Sequence, residues 1–112
     1  MEHKLPDDPL EFIRRCVRQR KVFWTYHVSM RLRGRFIDRR AILQSYEAYE
    51  IIEEYPKDKY LPSYLVYSEH HGDIFHILFA VDLEKVNVRI VTAYRPNPEE
   101  WEDGFRIRRD LA

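Results

Sequence analysis

Near Tyr49 the hydrophobic period of this chain changes, and that change limits the folds open to it. Before Tyr49 the apolar residues recur at spacings of three and four, as on one face of a helix. After it they alternate or run continuously, bounded by Pro and Gly, as in strands. Helices followed by strands predict an α+β domain whose helices pack on an antiparallel sheet.

The helical part opens on Asp8-Pro9-Leu10-Glu11, with Asp as N-cap, Pro first in the helix and Glu three after the cap. Leu10, Ile13 and Val17 then predict a helix over about 9–20, with Arg14, Arg15, Arg18, Arg20 and Lys21 on its exposed side and end. The aromatic run 22–26 reads as extended chain. It leads at about His27 into a short helix on Val28 and Leu32, for which Gly34 is the expected stop. Asp38 can cap a third helix over about 39–48.

Four strands are expected, Glu50–Tyr55, Ser63–Glu69, Ile74–Leu83 and Val86–Tyr94, joined by links short enough for an antiparallel meander. Alternation puts Ile74, His76, Leu78 and Ala80 on one face of the third, and Phe75, Ile77, Phe79 and Val81 on the other. It puts Val88, Ile90, Thr92 and Tyr94 together on the fourth. Asn97-Pro98-Glu99-Glu100 repeats the capping arrangement and predicts a closing helix over about 98–109, with Trp101 and Phe105 four apart.

A length of 112 residues suits one domain. A single cysteine, Cys16, excludes an internal disulfide framework and fits a reducing compartment. No apolar run approaches the roughly 18 residues of a membrane span, and no signal-peptide core is visible, so a soluble cytoplasmic protein without a membrane role is expected. The zero net charge hides an asymmetry: residues 1–40 carry +6 and residues 41–88 carry −6. A basic N-terminal half is the footprint of a docked polyanion, or the two halves attract each other across the fold.

Two places can carry chemistry. His27 and Arg31 are four apart on one helix, so both project from one side. An imidazole to move a proton beside a guanidinium to hold an anion suits a phosphodiester; the alternative is a solvated helix with an incidental histidine. His76 interrupts the most apolar strand, where it either has a partner or lines a cleft, because an unpaired buried polar group costs about 1–3 kcal/mol. Tyr94, at a strand end before Arg95-Pro96, borders a site or packs its ring and wets its hydroxyl. His70, His71 and His76 match no metal-ligand spacing, so no metal or other cofactor is expected. There is no Gly-rich phosphate loop and no nucleophile elbow.

From about residue 22 onward the chain resembles a bacterial family catalogued as domain of unknown function 4258. The resemblance is carried by Thr25-Tyr26-His27 with Arg31, Arg35-Phe36-Ile37, Ile51-Ile52-Glu53-Glu54-Tyr55-Pro56 and Pro62-Ser63-Tyr64-Leu65-Val66. It continues through His76, Thr92-Ala93-Tyr94-Arg95-Pro96 and Pro98-Glu99-Glu100-Trp101. On this basis residues 22–112 form the family-like core and 1–21 a helical extension of one domain. The family looks like a relative of the RelE-like and MqsR-like ribonuclease toxins, which implies a RelE/barnase-like fold and metal-independent cleavage of single-stranded messenger RNA through its own 2′-hydroxyl. It also implies a cognate antitoxin, of zinc-finger type in similar systems. Carried onto this chain, His27 is the general base or acid, His76 its partner or a phosphate donor, Arg31 the charge clamp, and Tyr94 a hydrogen-bond donor or stacking ring. Tyr26, Arg33, Arg35 and Arg95 are the expected RNA contacts. A non-catalytic protein- or RNA-binding module of the same fold is the alternative.

Overall fold

The structure is a computed structural model and describes residues 4–110. The ends of the expected 1–112 domain, residues 1–3 and 111–112, lie outside the described residues. Helix α1 (Pro9–Arg18) starts as its sequence requires: the Asp8 carboxylate accepts the Glu11 N–H at 3.1 Å, and Phe12, Ile13, Cys16 and Val17 are buried. It stops before residue 20 because Arg20 takes φ +61° and the Lys21 N–H returns to the Cys16 carbonyl. Strand β1 (Val22–Trp24) follows, then α2 (Tyr26–Gly34), whose first turn is capped by the Thr25 hydroxyl accepting from Val28 N–H at 3.0 Å. Helix α3 (Arg39–Gln44) is capped by Asp38. The expected helix over 39–48 breaks at Ser45, which bonds to Ser68 of the sheet, and a separate 3₁₀ turn spans Tyr46–Ala48.

Strands β2 (Glu50–Tyr55), β3 (Ser63–His70), β4 (Asp73–Asp82) and β5 (Asn87–Tyr94) form the expected antiparallel meander. The sheet has five strands rather than four, in the order β1-β5-β4-β3-β2, with β1 parallel to β5. The Val22–Trp24 run is too short to bend back and pair locally, so it adds to the free edge of β5, to which the chain returns only after α2, α3 and strands β2 to β4. The β3–β4 turn is tight, with φ +51° at His71 and φ +82° at Gly72, the two positive angles that a two-residue hairpin requires.

Phe75, Ile77, Phe79 and Val81 face the helices and form one core with Ile13, Val17, Val28, Leu32 and Ile42. Two bulges decide what the opposite face carries. Pairing slips between Leu78 and Phe79 of β4, so Val91 of β5 has no partner on β4. Val88 and Ile90 therefore face the helices, whereas Thr92 and Tyr94 lie on the outer face beside Leu78 and His76; the expected four-residue face is split. A second slip at Ile52 brings Glu50 and Glu53 onto the same outer face, opposite Tyr67 and Leu65.

The expected closing helix is absent among the described residues. Asn97 makes its first turn, but Gly104 and Phe105 take φ +89° and +57°, and the chain doubles back with Trp101 bridged to Arg108. Burial outweighs the helical pattern here: Trp101 is 1% exposed against the outer face of the sheet. Residues 97–110 form an irregular strap across that face.

At the end of α2, Phe36 N–H bonds to the Arg33 carbonyl and Ile37 N–H to the Leu32 carbonyl. This is the Schellman arrangement, whose left-handed residue is usually glycine. Here it is Phe36 at φ +55°, and Gly34, the expected stop, still belongs to the helix. The Phe36 ring is 87% exposed, so no packing offsets the backbone strain. Phe36→Gly is accordingly expected to stabilise the fold by about 0.5–1 kcal/mol, read as a higher thermal midpoint. A lower midpoint would show that the ring contributes to the core.

Candidate functional site

Helix α2 turns Val28 and Leu32 into the core and leaves Tyr26, His27, Met30, Arg31, Arg33 and Arg35 exposed. His27, Arg31 and Arg35 fall at successive spacings of four, one row on the helix surface. The row ends on the outer face of the sheet: Arg35 Nη1 donates to the Ala93 carbonyl at 2.7 Å and lies 3.5 Å from Thr92 Oγ1. His27 lies about 12 Å further along the helix axis. Arg39 stacks over Trp24 and bonds to Ser29, so α3 adds a further guanidinium beside α2. Arg33 is exposed at the end of the helix.

Thr92 also lines an open depression of about 310 Å³ with Tyr55, Leu65, Leu78, Tyr94 and Arg108. Arg108 belongs to a row of side chains crossing the sheet. Arg108 holds both oxygens of Glu53, at 3.0 and 3.1 Å, and lies over the Trp101 ring. That contact keeps the Glu53 carboxyl below the usual carboxylate range. Arg106 donates from Nε and Nη2 to one oxygen of Glu50, at 3.0 and 2.7 Å, and covers Tyr67 at 4.0 Å. None of these four charged residues was expected at a site. Arg106 and Arg108 are two apart, which is extended-chain spacing, but Glu50 and Glu53 share a face only because of the bulge.

His76 is fully buried beneath the strap, with Trp101 edge-on at 4.5 Å. Its Nε2 is 2.8 Å from the Phe105 carbonyl, which can only accept, so Nε2 carries the proton. Nδ1 then accepts from the Tyr94 hydroxyl at 3.4 Å. Burial pushes the imidazole pKa down, and the Phe105 hydrogen bond opposes this only in part. Burial likewise raises the Tyr94 phenol, keeping it a neutral donor. His76 therefore joins sheet to strap with both nitrogens occupied. His27 and Arg31 share no hydrogen bond, ion pair or ring contact with His76 or Tyr94 among the described residues. Arg95, expected at RNA, instead binds Asp73 at 2.8 and 2.9 Å and donates to the Arg35 and Phe36 carbonyls.

The His76 geometry has a pH consequence. A histidine held neutral binds its proton less readily folded than unfolded, so its stabilisation is complete above about pH 6.5 and lost as the pH falls through and below that value. His76→Gln, which keeps a donor for Phe105, is expected to flatten the stability profile between about pH 7 and 5 in urea titrations. An unchanged slope would show that His76 is not the group responsible.

The family described as a domain of unknown function, DUF4258, matches residues 24–95. The chain belongs to this family. The match is narrower than the resemblance read from residue 22 to the end: it includes His27, Arg31, Arg35, His76, Tyr94 and Arg95, and excludes α1 and the strap. Within this DUF4258 protein, the partners that bury His76, Trp101 and Phe105, therefore lie beyond the family segment. No curated protein and no solved structure matches the chain. Among the described residues, no group of three or more His, Cys, Asp or Glu could hold a metal ion, and no helix is long and apolar enough to cross a membrane.

Proposed function

We propose that this DUF4258 protein is a toxin-type endoribonuclease that cleaves single-stranded RNA without a metal, on a scaffold related to the RelE-like toxins. The observation that carries the reading is the exposed His27–Arg31 pair on α2, in a stretch whose residues 31–40 hold five arginines against one aspartate. His27 takes the proton from the 2′-hydroxyl, whose oxygen attacks the adjacent phosphorus. The bond to the 5′-oxygen breaks, that oxygen is protonated by water, and the products are a 2′,3′-cyclic phosphate and a 5′-hydroxyl end. Arg31 stabilises the charge that grows on the phosphoryl oxygens, and Arg33 holds a neighbouring phosphate. His76 and Tyr94 act as positioning residues that keep sheet and strap together. A protein antitoxin, of zinc-finger type by the same likeness, would act by covering α2 in the cytoplasm.

Cleavage of a labelled single-stranded RNA in EDTA tests the reading. Wild type is expected to cut it, and to leave intact the same oligonucleotide with 2′-deoxy sugars throughout. The full occupancy of His76 favours a second reading, a non-catalytic RNA-binding module; RNA binding that weakens steeply with salt but never yields cleavage would decide for it.

A further inference from the structure

The most exposed large apolar side chain among the described residues, Phe36, occupies a backbone position that glycine fills at lower cost. Its main chain is fixed from several sides. Arg95 Nη1 donates to the Arg35 carbonyl at 2.6 Å and Nη2 to the Phe36 carbonyl at 3.1 Å, while Asp73 anchors the same guanidinium. Arg35 in turn is tied to Ala93 of the sheet. The ring thus stands in solvent on a rigid stalk, although nothing in the fold uses it.

The helix that it follows says what it fits. Tyr26 and Met30, 80% and 47% exposed, lie one turn apart on the outer side of α2, and Arg31 and Arg33 flank them. Exposed rings on one helix and just past its end, with unpaired guanidiniums between them in the chain, match a strand that offers free base faces along a phosphate chain. A duplex hides its base faces, so such rings select unpaired RNA.

We propose that Phe36 is a base-stacking residue for single-stranded RNA, held in its binding position by Arg95. The proposal rests on the RNA reading above and adds the residue that holds a base of the strand.

Fluorescence anisotropy with a labelled 12-nucleotide 2′-O-methyl RNA, which cannot be cleaved through its own 2′-hydroxyl, tests it against the corresponding duplex. Phe36→Gly is expected to weaken single-strand binding by about 5- to 100-fold with an unchanged salt slope, while Phe36→Trp binds as tightly as wild type or tighter. Arg33→Gln is expected to lower the salt slope by about one. Arg95→Lys is expected to weaken binding without changing the slope, because Arg95 acts through Phe36. Since Phe36→Gly relieves strain, misfolding does not confuse the result. Phe36→Gly binding like wild type while Arg33→Gln binds worse would overturn the stacking role and leave the RNA reading standing. Equal binding of duplex and single strand would overturn it too. Wild type that binds no RNA, but captures an acidic protein through Phe36, would remove both.

Discussion

Trp101→Ala is expected to destabilise the protein by about 3–5 kcal/mol and to lower its thermal midpoint by at least about 12 °C. Trp101 is the anchor of the strap: it is 1% exposed, meets the His76 ring edge-on and lies under Arg108. Its removal opens a cavity on the outer face and exposes an imidazole whose neutrality depends on burial. The ion pairs Arg106–Glu50 and Arg108–Glu53 cannot compensate, because their side chains are mostly about half exposed and such pairs contribute about 0–1 kcal/mol each. Glu50→Gln should accordingly shift stability by less than about 1 kcal/mol. Urea unfolding of the two variants separates these roles. A Trp101→Ala loss below about 1 kcal/mol would mean that the strap is not held by its tryptophan.

The second large effect is on chemistry. His27→Ala is expected to reduce RNA cleavage by about 10²–10⁴-fold, the range for a group that transfers a proton in the transition state. Arg31→Ala is expected to cost about 10²–10³-fold, the range for a lost charge-stabilising donor. Both side chains are exposed on α2, so their truncation leaves the core intact and stability within about 0.5 kcal/mol of wild type. Arg31→Lys should restore part of the activity, since it keeps the charge and loses the planar fork.

The sequence was most legible where one local rule acts alone. The caps of Asp8 and Asp38, the helical burial of Val28 and Leu32, and strands β2 to β5 all follow from spacing and turn chemistry. It was least legible where a distant contact competes with a local pattern. Asn97-Pro98-Glu99-Glu100 does begin a turn, but burying Trp101 against His76 is worth more than continuing a helix through Gly104. The β1–β5 pairing depends on two segments more than sixty residues apart, which no local period encodes. Bulges were hidden for a related reason: one extra residue at Val91 or Ile52 inverts the face of everything after it, so Tyr94 joins His76 rather than Ile90.

The same logic separates the two histidines. His27 was legible as an exposed imidazole one turn from an arginine, and the structure leaves it accessible. His76 looked equally open to chemistry, but the strap that occupies its Nε2 lies outside the segment that the family match covers. Phe36 stood out only within the Arg35-Phe36-Ile37 resemblance and not as a site, because a left-handed phenylalanine cannot be told from an ordinary one until its φ is known.

The most direct measurement is cleavage of one single-stranded RNA in EDTA by wild type, His27→Ala and His76→Gln, each purified identically and assayed well below its thermal midpoint. Wild type is expected to cleave it, His27→Ala to lose about 10²-fold or more, and His76→Gln to stay within a few-fold of wild type. Equal activity in wild type and His27→Ala, or a collapse confined to a well-folded His76→Gln, would contradict that expectation.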